Sequence, residues 1–116
     1  GISFLHAHNV IHRDLKSDNC LIRSIQPDAD NFAVIADFGI SKLVRTDIIS
    51  VNHTMGVGTP IYMAPETLST SYGKEVDVYS FGVVMNEVFS EERPWCHFAN
   101  QWTFEIFDMV KQGKRP

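Results

Sequence analysis

The chain has 116 residues, enough for one domain or a piece of one, and its 44% hydrophobic and 21% charged content is ordinary for a globular protein. A net charge of −4 with acids and bases interspersed offers no field that would draw nucleic acid or an anionic membrane as the main partner. Cys20 and Cys96 lie far apart, with no CxxC or zinc-ligand spacing, which fits an intracellular, reducing compartment, cytoplasmic by expectation, better than a disulfide scaffold.

In chain order, Ile2, Phe4 and Leu5 sit among helix formers, and Asn9 reads as a helix stop. Val10 and Ile11 begin a short extended segment that runs into the charged triplet His12-Arg13-Asp14. Cys20-Leu21-Ile22 and Ala33-Val34-Ile35-Ala36 are short apolar runs around a stretch of turn formers, which predicts a hairpin with a long loop. Residues 40–60 show no sustained period and read as one long loop, a length that usually carries function. Asp77 to Phe89 is the clearest helix. Val78, Phe81, Gly82, Met85, Val88 and Phe89 recur at helical spacing with so few charges that a buried helix is expected. A second helix, about Thr103 to Lys111, places Phe104, Phe107 and Met109 or Val110 on one side, and the basic tail to Pro116 reads as a solvated helix end. No apolar run is long enough to cross a bilayer, and no signal peptide opens the chain. Because it begins with Gly1 inside a helical stretch, parts of a longer protein are expected to be missing.

Four polar motifs follow one another at compatible spacings: His12-Arg13-Asp14-Leu15-Lys16-Ser17-Asp18-Asn19, Asp37-Phe38-Gly39, Gly58-Thr59-Pro60-Ile61-Tyr62-Met63-Ala64-Pro65-Glu66, and Asp77-Val78-Tyr79-Ser80-Phe81-Gly82. A lone Asp-Phe-Gly arises by chance, but four motifs in this order do not. Together they resemble the eukaryotic protein kinase catalytic domain. The fold class implied is α+β and mainly helical. It is a fragment of the kinase C-terminal lobe with a small hairpin, an activation segment and a buried central helix, without the N-terminal lobe and last helices. The resemblance sets a catalytic loop at 12–19, a metal-binding motif at 37–39, an activation segment at 37–66, a central helix at 77–89 and a following helix at about 103–111.

The resemblance implies ATP and Mg²⁺ as cofactors and a protein as substrate, with no nucleic acid and no membrane contact in this segment. Phosphoryl transfer asks mainly for positioning and charge neutralisation. Asp14 is then the base that orients an incoming hydroxyl, and Lys16 a point cation for the transferred phosphoryl group. Asn19 and Asp37 are the hard oxygen ligands for magnesium, and Gly39 allows a sharp turn after Asp37. His12 and Phe38 resemble members of a stacked spine, with Asp77 tying the catalytic loop from below. Leu21 resembles the residue beneath the adenine ring, although a plain core leucine fits equally. Glu66 resembles the glutamate that pairs with an arginine beyond this chain. Cys20 reads as a small core residue. His6 and His8 point different ways and make no zinc pair. Asn52-His53-Thr54 is an accidental glycosylation match.

Lys16, two residues after the base, and Thr59, which resembles the threonine bonded to both, point to serine/threonine specificity. The Asp77 motif resembles the tyrosine-kinase-like group. Arg13 before the base implies control by loop phosphorylation, with Lys42 as a second cation and Thr46, Ser50 and Thr54 as candidate acceptors. The hairpin and activation segment are longer than usual, yet neither change touches a catalytic position. The competing expectation is a pseudokinase or a truncated, non-catalytic interaction module. The isolated chain is expected to be inactive and to bind ATP negligibly.

Overall fold

In the computed structural model, residues 1–26, 29, 32–43, 56–69, 71–98 and 103–116 are described. Helix α1 (Ile2–Ala7) is followed by β1 (Val10–Ile11), β2 (Cys20–Ile22), β3 (Ala33–Ile35), β4 (Lys42–Leu43), α2 (Glu75–Ser90) and α3 (Thr103–Lys111). Asn9 adopts left-handed backbone at φ 57, the conformation for which asparagine is well suited at a helix end.

β2 and β3 form the expected antiparallel hairpin, with Cys20 opposite Ile35, Leu21 opposite Val34 and Ile22 opposite Ala33. The expectation of a loop throughout 40–60 is corrected in two places. Lys42–Leu43 pairs antiparallel with Val10–Ile11, and Pro60–Tyr62 forms a turn of 3₁₀ helix. A two-residue strand is too short to display alternation, so periodicity cannot reveal it.

Three apolar clusters share Tyr79 as a partly buried neighbour. One joins Ile11, Ala64, Tyr72 and Val76; another joins Trp95, Ile106, Met109 and Val110; the third joins Tyr62, Val83 and Val84, with Cys20 packed at its edge. Phe107 is buried with the α3 face as expected, while the side chain of Phe104 lies outside the described set. The tail is not merely solvated: Arg115 stacks its guanidinium 5.3 Å from the Tyr79 ring centre and donates to Val110 O at 3.3 Å.

The central helix is longer than expected, and its burial is reversed. Val76, Asp77, Ser80, Val83 and Val84 are buried, whereas Val78, Phe81, Met85, Val88 and Phe89 are exposed in this chain. Leu21 is 51% exposed, which removes the plain core reading. Among the described residues, no helix is long and apolar enough to cross a membrane.

Candidate active site

β1 delivers a fully buried Ile11 and His12, and the chain then turns sharply, with Arg13 at φ 70. That left-handed conformation costs a non-glycine residue about 1–3 kcal/mol and persists only where the surroundings impose it. Asp77 imposes it here. From the first turn of α2, where the helix dipole favours a carboxylate, Asp77 accepts the His12 N–H at 2.8 Å and the Arg13 N–H at 2.9 Å. The His6 ring, Nε2 at 2.8 Å from Asp77 Oδ2, completes its partners.

The turn presents Asp14 to a second segment. Asp14 Oδ1 accepts both the Thr59 N–H at 2.8 Å and the Thr59 hydroxyl at 2.6 Å. Lys16 Nζ donates to Thr59 Oγ1 at 3.1 Å and lies 3.3 Å from Asp14 Oδ2. Asn19 is buried and donates from Nδ2 to Asp14 O at 2.8 Å. Burial pushes the Asp14 carboxyl up, but the Thr59 hydroxyl, the bond and charge of Lys16 and the Thr59 N–H together hold it below its ordinary value. It is therefore an ionised acceptor at neutral pH. Gly58 makes the approach possible: at φ 124, a Cβ there would fall 2.5 Å from Arg13 O.

Asp37 reaches the same end of the hairpin. The Ala36 N–H donates to Asn19 O at 2.9 Å, which extends the β2–β3 pairing to the residue just before Asp37. His12 Nε2 lies 3.0 Å from Ala36 O, and its ring meets Phe38 edge-on with centres 5.3 Å apart. Phe38 remains half exposed. The turn after Asp37 is achieved differently from the expectation. Asp37 itself is left-handed at φ 61, and Gly39 contributes room instead, since a Cβ would meet Asp37 Oδ1 at 3.1 Å. Asp37 is exposed, and its Oδ1 accepts the Gly39 N–H at 3.2 Å. An exposed carboxylate and an amide whose nitrogen is already engaged leave oxygens of the hard type that magnesium prefers, so this donor set fits that ion.

A description of the protein kinase domain matches residues 1–114. The chain belongs to the protein kinase family. Its full length aligns at 44% identity with "Probable serine/threonine-protein kinase gdt9" of Dictyostelium discoideum, covering 7% of that protein. It is also 39% identical over 98% of its length to the serine/threonine-protein kinase BCK1/SLK1/SSP31 of Saccharomyces cerevisiae, covering 7% of it. Similarity to the ovarian-specific serine/threonine-protein kinase Lok of Drosophila melanogaster is 37% over 98% of the chain and 23% of that protein. The kinase segment thus spans less than a quarter of these relatives.

Of the residues singled out in the sequence, this kinase segment gathers Asp14, Lys16, Asn19 and Thr59 into one bonded cluster, with His12 and Asp77 beneath it. Leu21 stands apart on the hairpin, and Glu66 is partly buried in the 3₁₀ turn Pro65–Leu68. Arg13 Nε donates to Ile40 O at 2.6 Å, and Lys42 lies in β4. Thr46, Ser50 and Thr54 lie outside the described residues.

A second polar network escaped the sequence reading. Tyr62 OH donates to Glu87 Oε2 at 2.7 Å and lies 3.0 Å from Ser17 Oγ. Burial pushes the Tyr62 phenol up; the Ser17 bond opposes and Glu87 reinforces the shift, leaving it at about 12. Arg93 then reaches Asp18 at 3.5 Å and Glu87 at 3.9 Å. A glutamate in the mostly apolar second half of α2 was the available signal.

Proposed function

We propose that the protein carrying this chain transfers the terminal phosphoryl group of ATP, with Mg²⁺, to serine and threonine hydroxyls of protein substrates. The observation that carries this reading is the shared bonding of Thr59 to Asp14 and Lys16. It holds an ionised carboxylate and a cation in fixed relation beside a partly open loop. Asp14 accepts the substrate hydroxyl proton and aims its oxygen for in-line attack, while Lys16 faces the charge on the transferred group. Asn19 and Asp37 would hold magnesium, which supplies neutralisation of the triphosphate charge.

Within this reading the chain is a C-terminal-lobe fragment. Its catalytic loop is 12–19, its metal motif 37–39 and its activation segment 37–66. The Asp77 motif supports membership of the tyrosine-kinase-like group, and the spacing of Cys20 and Cys96 fits an intracellular, cytoplasmic site of action. Regulation would run through Arg13 and Lys42 toward a phosphate on Thr46, Ser50 or Thr54.

The test uses full-length protein, Mg²⁺, labelled ATP and peptide pools containing Ser, Thr or Tyr as sole acceptor. Label should enter Ser and Thr pools only, and Asp14→Asn should lower the rate by about 10²–10⁴-fold. Incorporation mainly into tyrosine, or an unchanged rate in the variant, overturns the assignment.

A further inference from the structure

Beyond the end of α2, a surface turn brings three different ligand types together. Glu91 at φ 58 and Trp95 at φ 64 bend the chain twice. Trp95 is only 5% exposed and packs with Ile106, Met109 and Val110, so the turn is anchored on α3. A one-turn helix, Cys96–Phe98, follows, closed by Cys96 N–H to Arg93 O at 3.1 Å and Phe98 N–H to Trp95 O at 2.8 Å. Cys96 and His97 are thereby carried back over Glu92. Cys96 Sγ lies 3.5 Å from Glu92 Oε2, His97 Nε2 lies 3.1 Å from the same oxygen, and ligand atoms of all three residues fall within 4.8 Å of one another. They border a concavity of about 250 Å³.

We propose that Glu92, Cys96 and His97 form a binding site for a zinc-class divalent cation. The separations carry the argument. A tetrahedral zinc with bonds of about 2.3 Å to sulfur, 2.0 Å to nitrogen and 2.1 Å to oxygen needs a sulfur–oxygen edge of about 3.6 Å and a nitrogen–oxygen edge of about 3.4 Å. The observed 3.5 and 3.1 Å need adjustments of only a few tenths of an ångström, and the sulfur–nitrogen edge, which needs about 3.5 Å, closes from a separation within 4.8 Å by rotation of exposed side chains. Without a metal, Glu92 Oε2 accepts from the Cys96 thiol and pairs with the His97 ring, so all three groups already converge on one oxygen and a cation would replace both contacts. The mixed sulfur, nitrogen and oxygen set favours zinc over magnesium or calcium, which take oxygen ligands. On binding, the Cys96 S–H bond breaks, its proton passes to water, and sulfur gives an electron pair to the metal. Thiolate, carboxylate and neutral imidazole then balance the two positive charges. The fourth position opens to solvent and takes water. Arg93 also lines the concavity, and its guanidinium is engaged by Asp18 at 3.5 Å and Glu87 at 3.9 Å. Because one cysteine is combined here with Glu and His at i−4 and i+1, no spacing between cysteines could announce the site.

The test is a cobalt titration of the full-length protein in excess Mg²⁺, read by thiolate-to-cobalt charge-transfer absorption. One Co²⁺ per chain should bind, be displaced by Zn²⁺ and resist displacement by Mg²⁺. Cys96→Ser should abolish the band. His97→Ala and Glu92→Gln should each weaken binding by about tenfold or more, and Cys20→Ser should leave it unchanged. All three ligands are exposed, so circular dichroism should match the parent protein. The site is refuted by absence of the band, by a band insensitive to both His97→Ala and Glu92→Gln, or by loss of the band in Cys20→Ser.

Discussion

Asp77→Ala is expected to be among the most damaging single changes in the chain. Asp77 is 0% exposed and accepts two main-chain N–H groups of the loop that carries Asp14. Removing the carboxylate strands the N–H of buried His12 and of partly buried Arg13, at about 1–3 kcal/mol for each unsatisfied donor. His6, whose ring keeps some access to water, adds less. The sum is about 4 kcal/mol, within the range for removing one partner of a buried charged pair. With a urea slope of about 1–3 kcal/mol per molar, the unfolding midpoint should fall by about 1.3–4 M. Asp77→Asn keeps one acceptor oxygen and turns an NH₂ toward the other donor, so it should recover at most half. Glu75→Ala, in the same turn but exposed, should cost less than about 1 kcal/mol. In the active protein, loss of the clamp lets Arg13 relax from φ 70 and displaces Asp14, for which a shift of about 1 Å corresponds to roughly 10²-fold in rate. A midpoint for Asp77→Ala equal to that of Glu75→Ala would refute the reasoning.

Thr59→Ala removes the strongest influence holding the Asp14 carboxyl down, so that pKa should rise. Because the ionised form is the acceptor, the acid limb of kcat/KM against pH should move to higher pH, with Thr59→Ser restoring it. The same sign applies to stability. A depressed carboxyl contributes above its unfolded pKa of about 3.9, and the contribution is lost as pH falls through the folded value. Tyr62→Phe deprives Glu87 of its donor and should cost about 1.5–3 kcal/mol in thermal or urea unfolding. Val88→Gln, at a position 65% exposed, should change stability by no more than about 0.5 kcal/mol, whereas Ile106→Ala, at 7%, should cost about 2–5 kcal/mol.

What could be read in advance was whatever the chain writes locally. The hairpin at Cys20–Ile22 and Ala33–Ile35 shows as two short apolar runs around turn formers, and α3 shows as an amphipathic stripe. The cluster of Asp14, Lys16, Asn19 and Thr59 was legible because kinase motifs tie residue type to neighbour order. Illegible were the distant partnerships that no motif records. His6 and Asp77 are 71 positions apart, and nothing near either residue marks the other. The β1–β4 ladder joins two strands of two residues, below the length at which alternation exists.

The misread face of α2 has a physical cause that also explains how the site is assembled. Asp77, Ser80, Val84 and Glu87 recur three, four and three residues apart and therefore lie on one stripe of the helix. The polar members of that stripe bond two separate pieces of chain, one at His12–Arg13 and one at Tyr62. Asp77 takes the His12 and Arg13 N–H groups, the Ser80 hydroxyl donates to Tyr62 O at 2.8 Å, and Glu87 accepts from the Tyr62 hydroxyl. Loops that cross a core have no ladder of their own, so their main-chain groups must find partners on the element they cover. A helix that supports two such loops needs polar residues on its inner face. Weighting that helix by hydrophobicity then selects the opposite side, Val78, Phe81, Met85 and Val88, which is the side exposed here. A polar stripe on the inward face of this helix, buried at Asp77 and Ser80 and partly so at Glu87, is thus the trace of the loops it holds. In this chain those loops are the ones that bring Thr59 to Asp14.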